Sequence, residues 1–490
     1  MKKQILTIPN LLGCMFLGLL MVSTSSCKKS SDSSGIVISK PVFQVGAKVK
    51  PGNISGSIKG TFLSDSVYNV VGDVIINKGD TLYIQPGAKV YFDNTKGVFN
   101  FFVHGNLLSV GTAAKPIYFT VKNQIKNDVQ SQDPATDPAY QGLWGGILGD
   151  STTKFMIIKY THIEYSGGKI NVAQTPGTKN GAYAPAIKFF NLNGVLDVED
   201  SWFYGCIDGG ASISITNGKF NVMRNIFEKG GIYGTECFEG GNGCAGNIAY
   251  NLMMGPCTNG IKMSNKGTYF NDDVSVYNNT ILNGGTRRYD YGGVGNQGGR
   301  GGSISFEAAA KGQVYNNMMV NCRIGLRIVG TGNYQGNSLA IADTAHMYYG
   351  NNYSYADSTV FTNNFYPQGF LTKPQPTDIP SPSTFLPAGY KLGDIYNGTP
   401  LIGKNNPLFV NYPLPINLSA GAYATIDHLA FIKGYDFHLQ PSSPAKGKGN
   451  TGFNITNTGI MIDPIYGATE ITLPGTDIGC YQSNGTGLKN

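Results

Sequence analysis

The chain has 490 residues, among them 67 glycines and 29 tyrosines, and only 14% of the residues are charged. Its formal net charge of +7 is small and scattered, which argues against a nucleic-acid-binding protein with a basic patch. No long stretch keeps helical spacing, so the composition favours an all-β protein that is rich in turns. A repeat architecture grows in one dimension, so this length is compatible with a single domain.

The N-terminal segment has the parts of a secretory signal peptide, predicted for residues 1–26. Lys2 and Lys3 precede an apolar run from Leu11 to Val22, and the letters STSSC follow it. The run is shorter than the ~20 residues of a transmembrane helix. The small residues that end at Cys27 resemble the lipobox of bacterial lipoproteins, in which this cysteine carries the lipid. That resemblance implies an exported protein anchored through Cys27, with a flexible tether over residues 27–55.

Short alternating apolar runs begin the folded part of the chain. Three of them lie at Val74–Ile76, Leu82–Ile84 and Val90–Phe92, and a turn pair such as Pro86-Gly87 ends each run. Strands this short cannot bury an apolar face alone. They predict narrow coils that stack on one another and pair in parallel.

A repeat then predicts the architecture over residues 56–347. Six segments share a template: an apolar residue, two free positions, a small polar residue, a free position and a large apolar residue. The polar places are Thr161, Ser201, Asn225, Asn251, Asn279 and Asn317, and the large apolar places are Ile163, Phe203, Phe227, Met253, Ile281 and Met319. The polar places are separated by 40, 24, 26, 28 and 38 residues, which fits a three-sided coil with two insertions. We expect an inward apolar stack, and an Asn ladder at a corner where Asn also tolerates left-handed backbone.

The character of the sequence changes after the repeats. Ten of the 24 prolines lie between Pro367 and Pro415, and the template lapses. We predict an irregular excursion over residues 348–425, partly buried because it contains aromatic residues such as Phe365 and Phe385. Residues 426–490 are predicted to form a terminal coil and a C-terminal tail.

Several motifs resemble one family. The segments GDTLYIQPGAKVYF, LWGGI, YDFHLQPSSPAKGKGN and DIGCYQ look like those of right-handed parallel β-helix lipoproteins common in Bacteroidota, of the pectate-lyase-like superfold. The resemblance implies an all-β, single right-handed parallel β-helix and an outer-membrane lipoprotein on the cell-surface or periplasmic side. It also implies that YDFHLQPSSPAKGKG belongs to a final coil, with Leu439 and Ala445 inward.

The superfold houses lyases, glycosidases and adhesins, so it does not decide function. The favoured expectation is a monomeric, membrane-anchored protein that binds polysaccharide. A polysaccharide lyase or glycoside hydrolase is the alternative, although the polygalacturonase motifs are not present as a group. A structural or adhesive surface protein is a second alternative.

The two insertions supply the candidate glycan site. Gly167–Ala184 and Gly284–Gly302 both follow the same corner, about 19 Å apart, so they should rise as two walls with a Cys237–Cys244 loop between them. The candidate glycan-binding residues are Tyr183, Tyr233, Tyr289 and Tyr291, for their aromatic faces, and Arg287, Arg288 and Arg300, for their charge. The alternative is that surface insertions are tolerated without any function.

Acidic residues and cysteines provide the remaining candidates. Asp197 and Glu199 alternate with apolar residues, so they should face outward. They could share a Ca²⁺, or they are surface carboxylates that bind nothing, which is the more common case. Asp272 and Asp273 form an adjacent acidic pair, which is either a weak metal site or a turn before a strand. No cofactor other than this possible Ca²⁺ is expected, and the five histidines lack metal-ligand spacing. The best disulfide candidate joins Cys237 and Cys244.

Overall fold

A computed structural model describes residues 46–124, 126, 137–171, 180–207, 211–231, 236–265, 272–284, 303–322, 325–328, 342–357, 403–415, 434–460 and 471–489. Cys27, the predicted signal peptide and most of the predicted tether lie outside these ranges.

The strands in chain order are β1 (Gly52–Ser57), β2 (Gly60–Phe62), β3 (Val67–Ile76), β4 (Thr81–Ile84), β5 (Lys89–Phe92), β6 (Phe101–Val103), β7 (Asn106–Val110), β8 (Ile117–Val121), β9 (Ile147–Gly149), β10 (Phe155–Lys159), β11 (Thr161–Ser166), β12 (Ile187–Glu199), β13 (Trp202–Cys206), β14 (Ala211–Met223), β15 (Ile226–Gly230), β16 (Glu236–Gly240), β17 (Ala245–Ala249), β18 (Leu252–Met254), β19 (Ile261–Ser264), β20 (Asp273–Tyr277), β21 (Thr280–Leu282), β22 (Ile304–Glu307), β23 (Gly312–Tyr315), β24 (Met318–Val320), β25 (Leu326–Ile328), β26 (Met347–Gly350), β27 (Tyr353–Tyr355), β28 (Phe409–Asn411) and β29 (Asp436–Leu439). Two short 3₁₀ turns occur in the described residues, at Pro138–Tyr140 and Thr344–His346.

The first 27 strands form one network of parallel pairings with three faces. Sheet A contains β5, β8, β11, β13, β15, β18, β21, β24 and β27; sheet B contains β6, β9, β16, β19, β22 and β25; sheet C contains β2, β4, β7, β10, β17, β20, β23 and β26. The long strands β12 and β14 bend round a corner and belong to both sheet B and sheet C. At the first coils, β1 and β3 likewise belong to both sheet A and sheet B. The chain is therefore an all-β, right-handed parallel β-helix, as the sequence predicts.

The predicted inward stack forms the core of the coil. All six large apolar places of the template are at most 2% exposed. Like residues lie above like, and the rings of Phe203 and Phe227 stack with centroids 4.6 Å apart. Alternation within each short strand sends every second side chain into this core, so one apolar register serves successive coils.

The corner between sheets C and A carries the polar ladder, with one correction. Each ladder amide bonds to the next: Asn225 Nδ2 donates to Asn251 Oδ1 at 3.0 Å, and Asn251 Nδ2 donates to Asn279 Oδ1 at 2.9 Å. The ladder also continues one coil further than predicted, from Asn317 to Asn352. The left-handed backbone does not lie at the ladder position, as predicted, but one residue earlier: Tyr160, Asp200, Arg224, Tyr250, Asn278, Asn316 and Asn351 have φ between 46° and 60°.

The C-terminal third differs from the prediction in two ways. The coil does not end at residue 347, because β26 and β27 extend it to Tyr355. The prediction of a terminal coil is also wrong, because β29 pairs antiparallel with β28 in a separate two-stranded sheet. Ala445 is fully buried and Leu439 is partly buried, but both pack outside the coil. The alternating pattern of apolar residues predicts that this segment is a strand, but it does not determine which strand pairs with it.

These C-terminal segments cover a second apolar cluster on the outside of the helix. It combines outward side chains of sheets A and C and of the corner between them, such as Ile226, Tyr277 and Tyr250, with Phe437 and Ile478 from the C-terminal segments. The outer faces of these coils are therefore buried, whereas the outer face of sheet B carries charged side chains.

Candidate functional site

Both predicted insertions leave the coil at one corner, between sheets A and B. β11 ends at Ser166 and β12 begins at Ile187, while β21 ends at Leu282 and β22 begins at Ile304. A further insertion, which the repeat did not reveal, leaves the same corner after Val121 at the end of β8 and returns at β9. Sheet B is the face that the chain enters after each of these insertions.

The first insertion folds back onto the outer face of sheet B. Ile170 and Ala184 of the insertion pack with Phe102 and Leu148, which point outward from β6 and β9. The two ends of the insertion are held together by backbone hydrogen bonds, among them one of 2.8 Å from Ile170 N to Ala182 O. We call the described parts of this insertion, residues 167–171 and 180–184, the wall.

Five charged side chains form a cluster farther along the same face. The sheet B cluster consists of Glu236 and Glu239 on β16, Lys262 on β19, Glu307 on β22 and Arg327 on β25. Register connects it to the wall: Leu148 pairs with Lys188, Lys188 with Ser214, and Ser214 with Glu239. Three coil spacings of ~4.8 Å put about 14 Å between the outer residue under the wall and the cluster.

Strand alternation explains why most of the cluster faces outward. On β19, Ile261 and Met263 are buried in the main core, and Lys262 between them points away from it. On β22, Phe306 is likewise in the core and Glu307 follows it. Glu236 differs, because it is the first residue of β16 and lies next to the corner between sheets A and B.

One ammonium group holds three carboxylates in this cluster. Lys262 Nζ lies 3.7 Å from Glu236 Oε1, 3.3 Å from Glu239 Oε1 and 3.4 Å from Glu307 Oε1. Arg327 Nη2 donates to Glu307 Oε2 at 2.6 Å, so the second cation holds the far side of the same carboxylate. Glu236, Glu307 and Arg327 are buried, whereas Glu239 and Lys262 are partly exposed, so the cluster presents a carboxylate acceptor and a cationic donor side by side at the surface.

The environment of the cluster perturbs one of its carboxyl groups. The pKa of Glu236 is raised to about 7: burial is the largest cause, Lys262 opposes it, and the charges of Glu239 and Glu307 add to it. Near neutral pH, Glu236 is thus divided between its protonated and ionised forms. A carboxyl group that still carries a proton, beside other carboxylates, is a common feature of catalytic sites.

The structure describes one of the predicted glycan-binding residues. Tyr183 lies on the wall, where it pairs with Lys169 in an antiparallel bridge, and Lys169 Nζ lies 5.2 Å from the centre of its ring. The other candidates, Tyr233, Arg287, Arg288, Tyr289, Tyr291 and Arg300, lie outside the described residues and stay predictions.

Asp197 and Glu199 point away from the core, as predicted, but they are not on the surface. Both are completely buried, and Glu199 Oε2 lies 3.3 Å from Lys159 Nζ and 3.1 Å from Arg224 Nη2. Burial and the neighbouring Glu199 raise the pKa of Asp197 well above its usual range. The expected exposed carboxylate pair is therefore a buried ion-pair cluster, in which Glu199 already has two cationic partners.

Asp272 and Asp273 have different hydrogen-bond partners. Asp272 is buried and accepts a hydrogen bond of 2.8 Å from Gly243 N, and burial raises its pKa to about 6. Asp273 is exposed at the start of β20 and accepts from Thr456 Oγ1 at 3.0 Å. The turn before the strand and the weak metal site both stay predictions. Among the described residues, no group of three or more His, Cys, Asp or Glu side chains could hold a metal ion.

The predicted disulfide is also wrong. The six cysteines of the described residues are all thiols and all buried, including Cys237 on β16 and Cys244 before β17. The segment between them is a strand of sheet B and its turn, so it is not a loop between two walls. Its glycines favoured a loop interpretation, although Phe238 packs in the core between them.

None of the five cluster residues is among the candidate site residues predicted from the sequence. A signal was nevertheless present, because the second strands ECFEG, GIKM, SISFE and GLRIV follow successive coils and place charged residues between apolar ones. Their mutual contacts depend on the alignment of strands that are up to 91 residues apart, from Glu236 to Arg327.

This chain matches none of the protein-family models, curated proteins or solved structures with which it was compared. In the part of the chain that the structure describes, no helix is long and apolar enough to cross a membrane.

Proposed function

We propose that this protein binds polysaccharide on the outer face of sheet B, between the wall and the sheet B cluster. The observation that carries the proposal is the group of three carboxylates and two cations that one strand face holds together. Sugar hydroxyl groups both donate and accept hydrogen bonds, which this mixture of donors and acceptors can satisfy. Tyr183 on the wall adds an aromatic ring, the side chain that packs on the apolar face of a sugar.

A panel of acidic and neutral polysaccharides tests this proposal. We expect at least one to bind, and we expect Glu239→Gln to weaken its affinity about tenfold by removing one charged acceptor. Asp65→Asn is the matched control, because Asp65 forms an exposed ion pair with Lys115 at 2.7 Å, away from the cluster. If the folded protein binds no member of the panel, the proposal is wrong and a structural or adhesive role is favoured.

A second candidate function is glycoside hydrolysis, and the raised pKa of Glu236 favours it. Carboxyl oxygens that share Lys262 Nζ can be at most about 7 Å apart, which is within the range used by glycosidases. In this scheme, protonated Glu236 would donate its proton to the glycosidic oxygen. Glu239 or Glu307 would either attack the sugar carbon or remove a proton from the attacking water.

The same panel, read for new chain ends, separates binding from catalysis. New reducing ends would indicate a hydrolase, and new unsaturated ends would indicate a lyase. For a hydrolase, Glu236→Gln should abolish turnover while binding persists, because the amide keeps the shape but has no acidic proton to transfer. Bound polysaccharide that stays intact would rule out both enzymes and leave the binding function.

We also propose that the chain is an exported lipoprotein, anchored through Cys27 to the outer membrane. The support is the sequence of the first residues, a basic start followed by an apolar run and small residues that end at Cys27. Metabolic labelling with a fatty-acid analogue tests it: Cys27→Ser should abolish the label. Label retained in the Cys27→Ser protein would contradict the assignment.

A further inference from the structure

A segment of the C-terminal region crosses the outer face of sheet C. Residues 450–459, which we call the strap, bond to outward side chains of successive strands. Gln313 Nε2 donates to Asn454 O at 2.8 Å, and Asn247 Nδ2 donates to Thr456 O at 3.0 Å. The strap therefore shields the outward polar row of sheet C.

An open groove begins beside the strap. Tyr348 pairs with Gln313 in the outward row of sheet C, one coil farther along, and it is 55% exposed. Phe453 of the strap stacks on Tyr315 with ring centroids 4.4 Å apart. Together these rings line a groove of about 520 Å³, which we call the strap groove. Its volume is in the range of sites for small ligands.

Polar groups of both signs surround the rings of the strap groove. Asp273, Lys311 and His346 also line it. His346 is an exposed imidazole whose Nδ1 lies 2.7 Å from Asp343 Oδ2. An exposed aromatic ring with donors and acceptors around it suits a sugar, which has an apolar ring face and a rim of hydroxyl groups. Because the charged groups are of both signs, the groove favours a neutral sugar.

The strap groove and the sheet B cluster lie on either side of one corner. Glu307 of the cluster ends β22, and Lys311 of the groove precedes β23. Lys311 is four positions after Glu307, so their backbones are within about 14 Å of each other. Ala308 and Ala309, which turn the corner, have φ of 51° and 61°. A chain bound at one site therefore reaches the other by crossing a short turn.

We propose that the strap groove is a second sugar subsite, which binds a neutral continuation of the polysaccharide held on sheet B. This inference rests on the proposed function for the identity of the ligand. It adds a second contact surface on a different sheet, so a long glycan would gain affinity from both sites.

Affinities for a series of oligosaccharides of increasing length, cut from the polysaccharide that binds, test the inference. We expect Tyr348→Ala to weaken binding of the long members about tenfold and to leave the shortest members unchanged. Tyr348→Phe should bind as the wild type does, because it keeps the ring. Leu192→Ala is the control, since Leu192 is 61% exposed and does not line the groove.

The outcomes separate this inference from the proposed function. If Tyr348→Ala binds the longest member as tightly as the wild type, the second subsite is wrong. If Tyr348→Ala weakens binding while Glu239→Gln does not, the subsite stands and the sheet B site is wrong. Melting temperatures of all variants show whether a loss of affinity comes from unfolding.

Discussion

At the corner between sheets C and A, two consecutive residues have different structural roles. Tyr250 takes the left-handed backbone with φ of 57°, and Asn251 after it carries the ladder amide. The sequence alone does not show which residue takes the left-handed backbone and which carries the ladder amide, because Asn278 and Asn279 place the same residue type at both positions. No amide is required at the left-handed position, since side chains as different as those of tyrosine and arginine occupy it.

Removing one ladder amide should destabilise the whole coil. In Asn251→Ala, the bonds to Asn279 Oδ1 and Val222 O are lost, and the backbone N–H and side-chain amide of Asn225 lose their acceptor. We expect the free energy of unfolding to fall by about 2–4 kcal/mol, measured by chemical denaturation. Asn193→Ala on the surface is the control and should change it by about 0.5 kcal/mol or less. Equal stability of the two variants would show that the ladder contributes nothing.

The raised pKa of Glu236 makes stability depend on pH in a defined direction. Below its ordinary value of 4.5, both the folded and the unfolded protein hold the proton. As the pH rises toward about 7, the unfolded chain loses it first, so stability falls, and above pH 7 the loss is complete. Relative to Glu236→Gln, the wild type should lose about 2–3 kcal/mol between pH 4 and pH 8. Parallel pH profiles of the two proteins would contradict this environment for Glu236.

At the scale of strands, the sequence predicts inward residues better than outward ones. The inward positions repeat one chemical requirement, apolar bulk, so a single template finds Phe203 and Phe227 in successive coils. The outward positions do not all require the same type of side chain. The contact of Lys262 with Glu236 and Glu307 arises only when three separate strands align, which no local pattern encodes.

The inward stack makes a direct prediction about stability. Phe227 is 1% exposed, pairs with Met253 in the next coil and stacks on Phe203 in the previous one. Phe227→Ala leaves a cavity between two coils, so we expect a loss of about 3–5 kcal/mol in the free energy of unfolding. Leu192→Ala changes an exposed residue, so it should lower the free energy of unfolding far less. A thermal melt unchanged by Phe227→Ala would mean that the register of the coils is wrong.

At the scale of the molecule, the C-terminal segments are part of the fold rather than an appendage. Phe365 and Phe385, on which the prediction of burial rests, lie outside the described residues, but Phe409 and Tyr412 farther along the same region are buried. They pack on the outside of the helix, where the sequence predicts no core. The family resemblance implies another coil at β29, whereas β29 closes a cluster over sheets A and C.

Truncation tests this role of the C-terminal segments. A chain that ends at residue 433 lacks β29 and the strap, so it exposes Met223, Tyr250 and Tyr277 to solvent. We expect a melting temperature lower by about 10 °C or more, and strong binding of a hydrophobic dye. A chain that lacks only Lys489 and Asn490 is the control. If the long truncation melts like the control, the second apolar cluster does not stabilise the helix.

The central claim is that the outer face of sheet B is the functional surface. A crystal structure of the protein with the shortest oligosaccharide that binds tests it most directly. We predict sugar electron density between the wall and the sheet B cluster, with hydroxyl groups within hydrogen-bonding distance of Glu239 or Lys262. Density for the sugar on sheet A or at an end of the helix, with no sugar on sheet B, would contradict the claim.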